Sequence, residues 1–296
     1  VITLSPSSTQ RTSDARERAR QIADRQARSA SANRRWLQAA VIAVLVVIIA
    51  VIAIVYTQTR STDIPDAGAV PSSANQYGGI VLTKDGIVKN SSDEASRDVN
   101  DLKTSTVSAS ASDGQSATLP VGLPTAEEAK KNGKPVRLTM FQDYNCIHCA
   151  EFEKAYGEDI KKKVLDGEIE LEVRNLNFLD AETTTEYSSR AAVAAYAVAE
   201  QVSTEKFLDW QEEMFSHQGE GGLKNSELED IASKYGADIK GAMDSMDYRP
   251  MVNVTVAESK ENGIQGTPTV YVDSTETQTT DFSSALDEAI KAKKES

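Results

Sequence analysis

The chain is poor in thiol and imidazole side chains: its 296 residues include two cysteines and two histidines. A zinc site takes four protein ligands, or three and a water. Cys146 and Cys149 would supply half of such a shell, and only His148 and His217 could add nitrogen. His148 lies inside the loop between the two cysteines, so zinc is disfavoured. No internal repeat is visible. The glycines of Gly219-Glu220-Gly221-Gly222 have no strand before them and no Lys-Ser/Thr after them, which excludes a phosphate loop. His217, just before them, reads as an ordinary loop histidine.

Positive charge is scarce after the first few dozen residues. Residues 57–296 hold 24 basic and 42 acidic side chains, a net charge of −18, which argues against nucleic acid as a partner. Residues 1–35 are the opposite, with eight arginines and three acids for a net +5. Charge is absent between the two. From Leu37 to Tyr56 there are 20 residues without an ionisable acid or base. Such a run is long enough to cross a bilayer as a helix, and Trp36 and Tyr56 flank it as interfacial aromatics do. The charge asymmetry puts the N-terminus in the cytoplasm and the C-terminal part outside. A cleaved signal peptide competes with an anchor. The run is long for one, however, and the nearest A-x-A pattern, Ala67-Gly68-Ala69, lies well past its end. The expectation is an uncleaved signal anchor over 36–56, behind a basic cytoplasmic tail over 1–35.

Residues 57–118 have linker composition, rich in Ser, Thr, Asp, Asn and Gly. Within them, Gly79 to Val88 has two short apolar runs around Lys84-Asp85-Gly86, the pattern of a β-hairpin. It either docks on the folded domain or is a local turn, with docking slightly favoured. Asn90 to Ser116 reads as a flexible tether. The folded domain is expected over 119–296, large enough for a single core.

The two cysteines sit in Cys146-Ile147-His148-Cys149. Before them, Val136 to Phe141 reads as a buried strand. After them, Ala150 to Tyr156 reads as a helix. This puts both sulfurs at a helix N-terminus, where unpaired N–H groups and the helix dipole favour a thiolate. One helical turn brings the sulfurs within disulfide reach. A purely structural bridge across so short a loop would stabilise little. The arrangement suits a protein that makes, breaks or carries disulfides, and an oxidising compartment suits such a dithiol.

Elsewhere, Thr125-x-x-Glu128 and Ser226-x-x-Glu229 read as capping boxes. Glu168 to Leu176 alternates like a strand. Ser188 to Val202 is Ala-rich and helical, and Phe207, Trp210 and Met214 form an apolar helical stripe. Gly236 sits where a C-cap belongs. Asp238 to Met246 reads as a short helix. Met251 to Glu261 is ambiguous, with its position favouring a helix. Gly266-Thr267-Pro268-Thr269 leads into the apolar run Val270-Tyr271-Val272. A proline cannot sit inside a central strand, so Pro268 belongs at the first residue of one, with a cis bond as one way to fit it. A weak strand near Thr277–Thr280 and a helix over Asp281–Lys293 close the chain.

With both motifs in view, the sequence resembles the thioredoxin superfamily, and within it the DsbA-like thiol-disulfide oxidoreductases of bacteria. The resemblance rests on Phe141 to Cys149 and on Gly266-Thr267-Pro268-Thr269, and covers about residues 119–293. It implies an α/β thioredoxin-like fold with a helical insertion over about 180–262. Cys146 would be the exposed nucleophile and Cys149 the buried resolving thiol. Thr267 and Pro268 would face the dithiol as a cis-proline pair and bind an extended client strand. His148, between the cysteines, would further stabilise the thiolate. No cofactor is implied beyond the Cys146–Cys149 disulfide itself. The implied partners are exported proteins with free thiols and a membrane-embedded reoxidant. No dimerisation module is visible, so a monomer is expected. The chain departs from the DsbA-like pattern twice. Ile147 stands where the motif has proline, and Met140 stands six residues before Cys146, where many relatives have a buried acid. Asp143, three residues before Cys146, either assists proton transfer or is a solvated residue at the strand end. The alternatives to a disulfide donor are a reductase or isomerase and a peptide-binding scaffold without redox turnover.

Overall fold

A computed structural model of the chain describes residues 64–111, 116–131 and 135–295. The basic tail and the apolar run 36–56 lie outside the described residues. Among the described residues no helix is long and apolar enough to cross a membrane. The first elements are β1 (Ala67–Ala69), β2 (Gly79–Thr83), β3 (Gly86–Ile87), β4 (Ser96–Asp98), β5 (Ser108–Ala111) and β6 (Ser116–Thr118). Next come α1 (Ala126–Lys131), β7 (Val136–Gln142), α2 (Ile147–Leu165), β8 (Ile169–Asn175) and a 3-10 turn (Phe178–Glu182). Five helices follow: α3 (Tyr187–Ala199), α4 (Thr204–Ser216), α5 (Asn225–Tyr235), α6 (Lys240–Ser245) and α7 (Arg249–Glu261). The chain closes with β9 (Thr269–Val272), β10 (Thr275–Thr277) and α8 (Phe282–Lys294).

One sheet has the strand order β3-β2-β8-β7-β9-β10-β5-β6. At its centre β7 and β8 run parallel, from Val136 opposite Ile169 to Gln142 opposite Asn175. β9 is antiparallel to β7, and β2 is antiparallel to β8. Buried residues at consecutive positions of β7 show that both its faces are covered, as its near-continuous apolar sequence requires. The 3-10 turn and α3–α7 all lie between β8 and β9. In α3 every residue except Arg190 is buried, which small alanine side chains permit at close packing distance. The ambiguous stretch before the Thr-Pro-Thr motif is helix α7. Pro250 occupies its first turn, where a missing N–H breaks no helical bond.

The N-terminal boundary differs from the sequence reading. The folded unit begins at Ile64, not near Leu119. The 79–88 hairpin joins the central sheet through β2, with Ile80 opposite Val173 on β8. The stretch from Asn90 expected as a tether is packed instead. Arg97 is buried against Glu258 of α7, and the Asn262 side chain takes the Ser105 N–H at 3.0 Å and donates to the Lys103 carbonyl at 2.8 Å. β5 pairs with β10. Backbone groups and Arg97 fasten this stretch, and nearer the start of the unit Ser73 and Asn75 do so by side chain, to the Tyr196 carbonyl and to Glu172.

The same strap explains β8. Its alternating sequence has a polar face, yet Glu172 is fully buried and Arg174 nearly so. The Glu172 carboxylate accepts from Arg174 Nε at 2.8 Å, Asn75 Nδ2 at 2.9 Å and Arg137 Nη1 at 3.2 Å. The two guanidiniums hold its pKa below the ordinary value although burial works against them.

Thr125 and Glu128 form the capping box expected of them, with bonds of 3.2 and 2.8 Å. Replacing Thr125 by Ala is expected to destabilise the start of α1 by about 1 kcal/mol, visible as faster amide exchange in that turn. The box expected at Ser226–Glu229 lies two residues earlier, where Glu227 accepts the Lys224 N–H at 2.7 Å. Arg190 draws Asn225 into the first turn by donating to the Leu223 carbonyl and to Asn225 Oδ1. Gly236 ends α5 at a φ of 93°, a left-handed position that favours glycine.

Candidate active site

Cys146 is the residue before α2, in extended conformation, with its N–H given to the Asp143 carbonyl at 2.9 Å. Ile147 follows it with 56% of its surface exposed. Cys149 lies in the first turn of α2 and is only 2% exposed. Both cysteines are free thiols. The Thr267–Pro268 bond is cis, and it brings the Thr267 carbonyl to 3.3 Å from Cys146 Sγ. Thr267, Pro268 and Thr269 are half-buried, so this edge remains open to a partner. The structure thus brings together Cys146, Cys149, Thr267 and Pro268.

The two sulfurs differ electrostatically. The Cys146 thiol is pulled down to about 5, first by a hydrogen bond from the Cys149 thiol, despite partial burial. The Thr267 side chain and the backbone N–H groups of Cys149 and His148 add to this. These are the orphan donors of a helix start, aimed at the sulfur. Cys149 is pushed far above the ordinary thiol range, first by burial and then by the Cys146 sulfur. At neutral pH the pair therefore carries one negative charge, on the outer sulfur. Alkylation of the reduced protein by iodoacetamide is expected to follow a midpoint near pH 5, against about 8.5 for a free cysteine. The rate falls as pH drops through that midpoint, because only the thiolate reacts.

His148 acts on Cys146 only through a minor charge interaction, its main partner being Glu151. Its ring points outward, 72% exposed, and Nδ1 pairs with Glu151 at 2.9 Å. That pairing raises its pKa, so its charge is largely committed to Glu151. Its backbone N–H is what faces Cys146. His217 pairs with Glu220 at 3.0 Å in the loop after α4.

Two features of the site, Glu153 and Gln218, have no local signal in the sequence, and a third, Asp143, has one only in its place three residues before Cys146. Glu153, one turn beyond Cys149 on α2, is buried, and burial pushes its carboxyl up to about 7. Gln211 of α4 donates to it at 3.3 Å and accepts from Gln142 of β7 at 3.0 Å; Gln142 also donates to Asn175 of β8 at 3.0 Å. In sequence, Glu153 looks like any charge on a surface helix. Gln218, from the glycine-containing loop, donates to the Asn145 carbonyl at 3.0 Å beside the dithiol. Asp143 is fully buried rather than solvated.

The family profile described as Thioredoxin matches residues 131–292, more than half of the chain. The chain belongs to the thioredoxin family. Among solved structures, it is similar to DsbA from Mycobacterium tuberculosis, at 24% identity over 63% of this chain and 96% of that one, with a TM-score of 0.46. It is also similar to the thiol-disulfide oxidoreductase MdbA from Corynebacterium diphtheriae, at 23% identity over 64% and 96%, TM-score 0.47. BdbD from Bacillus subtilis matches at 21% identity over 59% and 99%, TM-score 0.48. A stretch of 82 residues is 30% identical to the serine/threonine-protein kinase PknE of Mycobacterium tuberculosis. It makes up 27% of this chain and 14% of that kinase, so the match spans about a seventh of the relative's length. A thioredoxin-family domain with a stabilised outer thiolate, a buried second thiol and a cis-proline edge beside them has the parts that thiol–disulfide exchange requires.

Proposed function

We propose that this thioredoxin-family protein donates its Cys146–Cys149 disulfide to exported proteins outside the cytoplasm, tethered to the membrane by residues 36–56. The observation that carries the direction of transfer is the unequal state of the two sulfurs. Every group that stabilises the Cys146 thiolate stabilises the reduced protein, and that makes the disulfide a stronger oxidant. The tether and the compartment rest on the uncharged run and on the charge asymmetry around it.

The cycle balances as follows. A client thiolate attacks Cys146 of the disulfide, forming a client–Cys146 bond and releasing Cys149, which takes up a proton. A second client thiolate attacks the client sulfur of that mixed disulfide. The client leaves with a disulfide, and Cys146 leaves as a thiolate. Two electrons have moved from client to enzyme. A membrane-embedded oxidant then removes them. Thr267 and Pro268 line the edge on which an extended client segment would lie, next to the reacting sulfur.

Equilibration with a glutathione buffer tests the direction. A potential near −120 mV, the range of strong oxidants, supports a donor, whereas one near −270 mV, the thioredoxin range, makes the protein a reductase. The pH dependence is a second check. Between pH 6 and 8 reduction takes up one proton for two electrons, because Cys146 stays ionised and Cys149 does not. The potential is then expected to fall by about 30 mV per pH unit, half the slope of an ordinary dithiol.

A further inference from the structure

The turn between β7 and α2 contains a buried carboxylate that the thiol chemistry does not use. Asp143 follows directly after β7 and has no exposed surface. Its Oδ1 accepts the Asn145 N–H at 2.8 Å, and its Oδ2 accepts the Leu179 N–H at 3.1 Å. Leu179 belongs to the 3-10 turn after β8. One carboxylate thus ties together the two turns that leave the central parallel strands. The backbone of Asp143 reaches both cysteines: its carbonyl accepts the Cys146 N–H, and its N–H is directed at the Cys149 sulfur. Asp180, in the same 3-10 turn, accepts from the Ser188 and Ser189 N–H groups at 2.9 and 3.1 Å and so fixes that turn to α3. Asn145 is held from its other side by Gln218. Burial raises the Asp143 carboxyl to about 6, against the Ser188 hydroxyl and the Asn145 and Leu179 N–H groups, which favour the carboxylate and hold it in place.

We propose that Asp143 is a positioning residue for Cys146, its carboxylate fixing the Asp143–Cys146 turn so that the sulfur sits against the N–H groups opening α2 and the Thr267 carbonyl. The proposal rests on the reading of Cys146 as the attacking thiolate.

Charge and geometry make opposite predictions here, which allows a clean test. To the extent that Asp143, raised to about 6, is ionised where Cys146 titrates, a carboxylate acting on the sulfur through its charge disfavours the thiolate, so removing it lowers the Cys146 pKa or leaves it unchanged. A carboxylate acting through the turn favours the thiolate, so removing it raises that pKa. The measurement is the ultraviolet absorbance of the Cys146 thiolate against pH in the reduced full-length protein, for wild type, Asp143→Ala and Asp143→Asn. The expected result is a midpoint raised by about one unit or more in Asp143→Ala, a tenfold loss of thiolate at acid pH. Asp143→Asn, which keeps one acceptor oxygen, is expected to show a smaller rise. A midpoint unchanged or lowered in a folded variant overturns the proposal. Where Asp143→Ala does not fold, the sign of the shift in Asp143→Asn decides. A wild-type midpoint at the ordinary thiol value removes the nucleophile reading and this proposal together. A low wild-type midpoint shared by the variants removes only the positioning role.

Discussion

Replacing Cys146 by Ser is expected to reduce disulfide transfer to the uncatalysed background, while Cys149→Ser leaves the protein bonded to its clients as mixed disulfides. The asymmetry follows from access. Cys149 is 2% exposed; Cys146, expected from the sequence to be exposed, is itself buried at 7%, and its advantage is that it borders the exposed Ile147 and the half-buried Thr267–Pro268 edge. A serine hydroxyl at position 146 has no thiolate form to offer, so the loss is total rather than partial. In Cys149→Ser the reduced Cys146 still attacks a client disulfide, forming a client–Cys146 bond and releasing one client thiolate, but the internal thiol that would expel the client in that direction is gone. The serine hydroxyl can still donate to the Cys146 sulfur in place of the Cys149 thiol, so Cys146 remains a good nucleophile. Cys149→Ala lacks that donor, the largest single cause of the low Cys146 pKa, and its alkylation midpoint is expected to move up relative to Cys149→Ser. Non-reducing electrophoresis of the reduced variant with a client carrying a disulfide reads the trapping, and mass spectrometry locates the bond. Retained turnover in Cys146→Ser, or trapping through position 149, would reverse the assignment of the two sulfurs.

Much of this chemistry is legible in the sequence because it is local. The strand, the Cys-x-x-Cys and the helix after it lie within a few dozen residues, and the helix start that lowers the Cys146 pKa is written in their order. Pro268 is far away in sequence but still legible, since a proline entering an apolar strand has few places to go. What escapes is tertiary. Glu153 sits in an ordinary sequence setting and becomes unusual only when α4 closes over it, and the burial of Asp143, whose position alone drew notice, comes from the 3-10 turn. The His148 ring escapes for the opposite reason. A neighbouring carboxylate, Glu151, one helical turn away, draws it outward. The strap from Ile64 to Val107 is the largest difference. Its serines, aspartates and asparagines match a linker by composition, and composition does not tell whether a polar side chain meets water or a buried partner.

That strap supplies the second large expected effect. Glu258→Ala is expected to destabilise the protein by about 3–5 kcal/mol. Glu258 and Arg97 have side-chain exposures of 3% and 2% and meet at 2.5 Å, Glu258 Oε1 accepting from Arg97 Nη2. The same oxygen takes the Lys103 N–H at 2.7 Å. The Arg97 guanidinium also donates to the Gln76 carbonyl, so it gathers two parts of the strap around one side chain of α7. Deleting the carboxylate leaves a guanidinium buried without its counter-charge and a backbone N–H without its acceptor, and both costs act on the folded state alone. For a folded unit of this size the loss corresponds to a fall in Tm of roughly 10 °C or more. Because α7 runs into the loop that bears Thr267 and Pro268, release of the strap is expected to show first as faster amide exchange in residues 97–105 and 258–264. A double variant, Arg97→Met with Glu258→Leu, is expected to recover much of the loss, since it removes both charges and keeps apolar volume. Thermal unfolding of wild type, Glu258→Ala and the double variant decides it. A Glu258→Ala protein as stable as wild type would mean that the strap is not fastened to α7 through this pair.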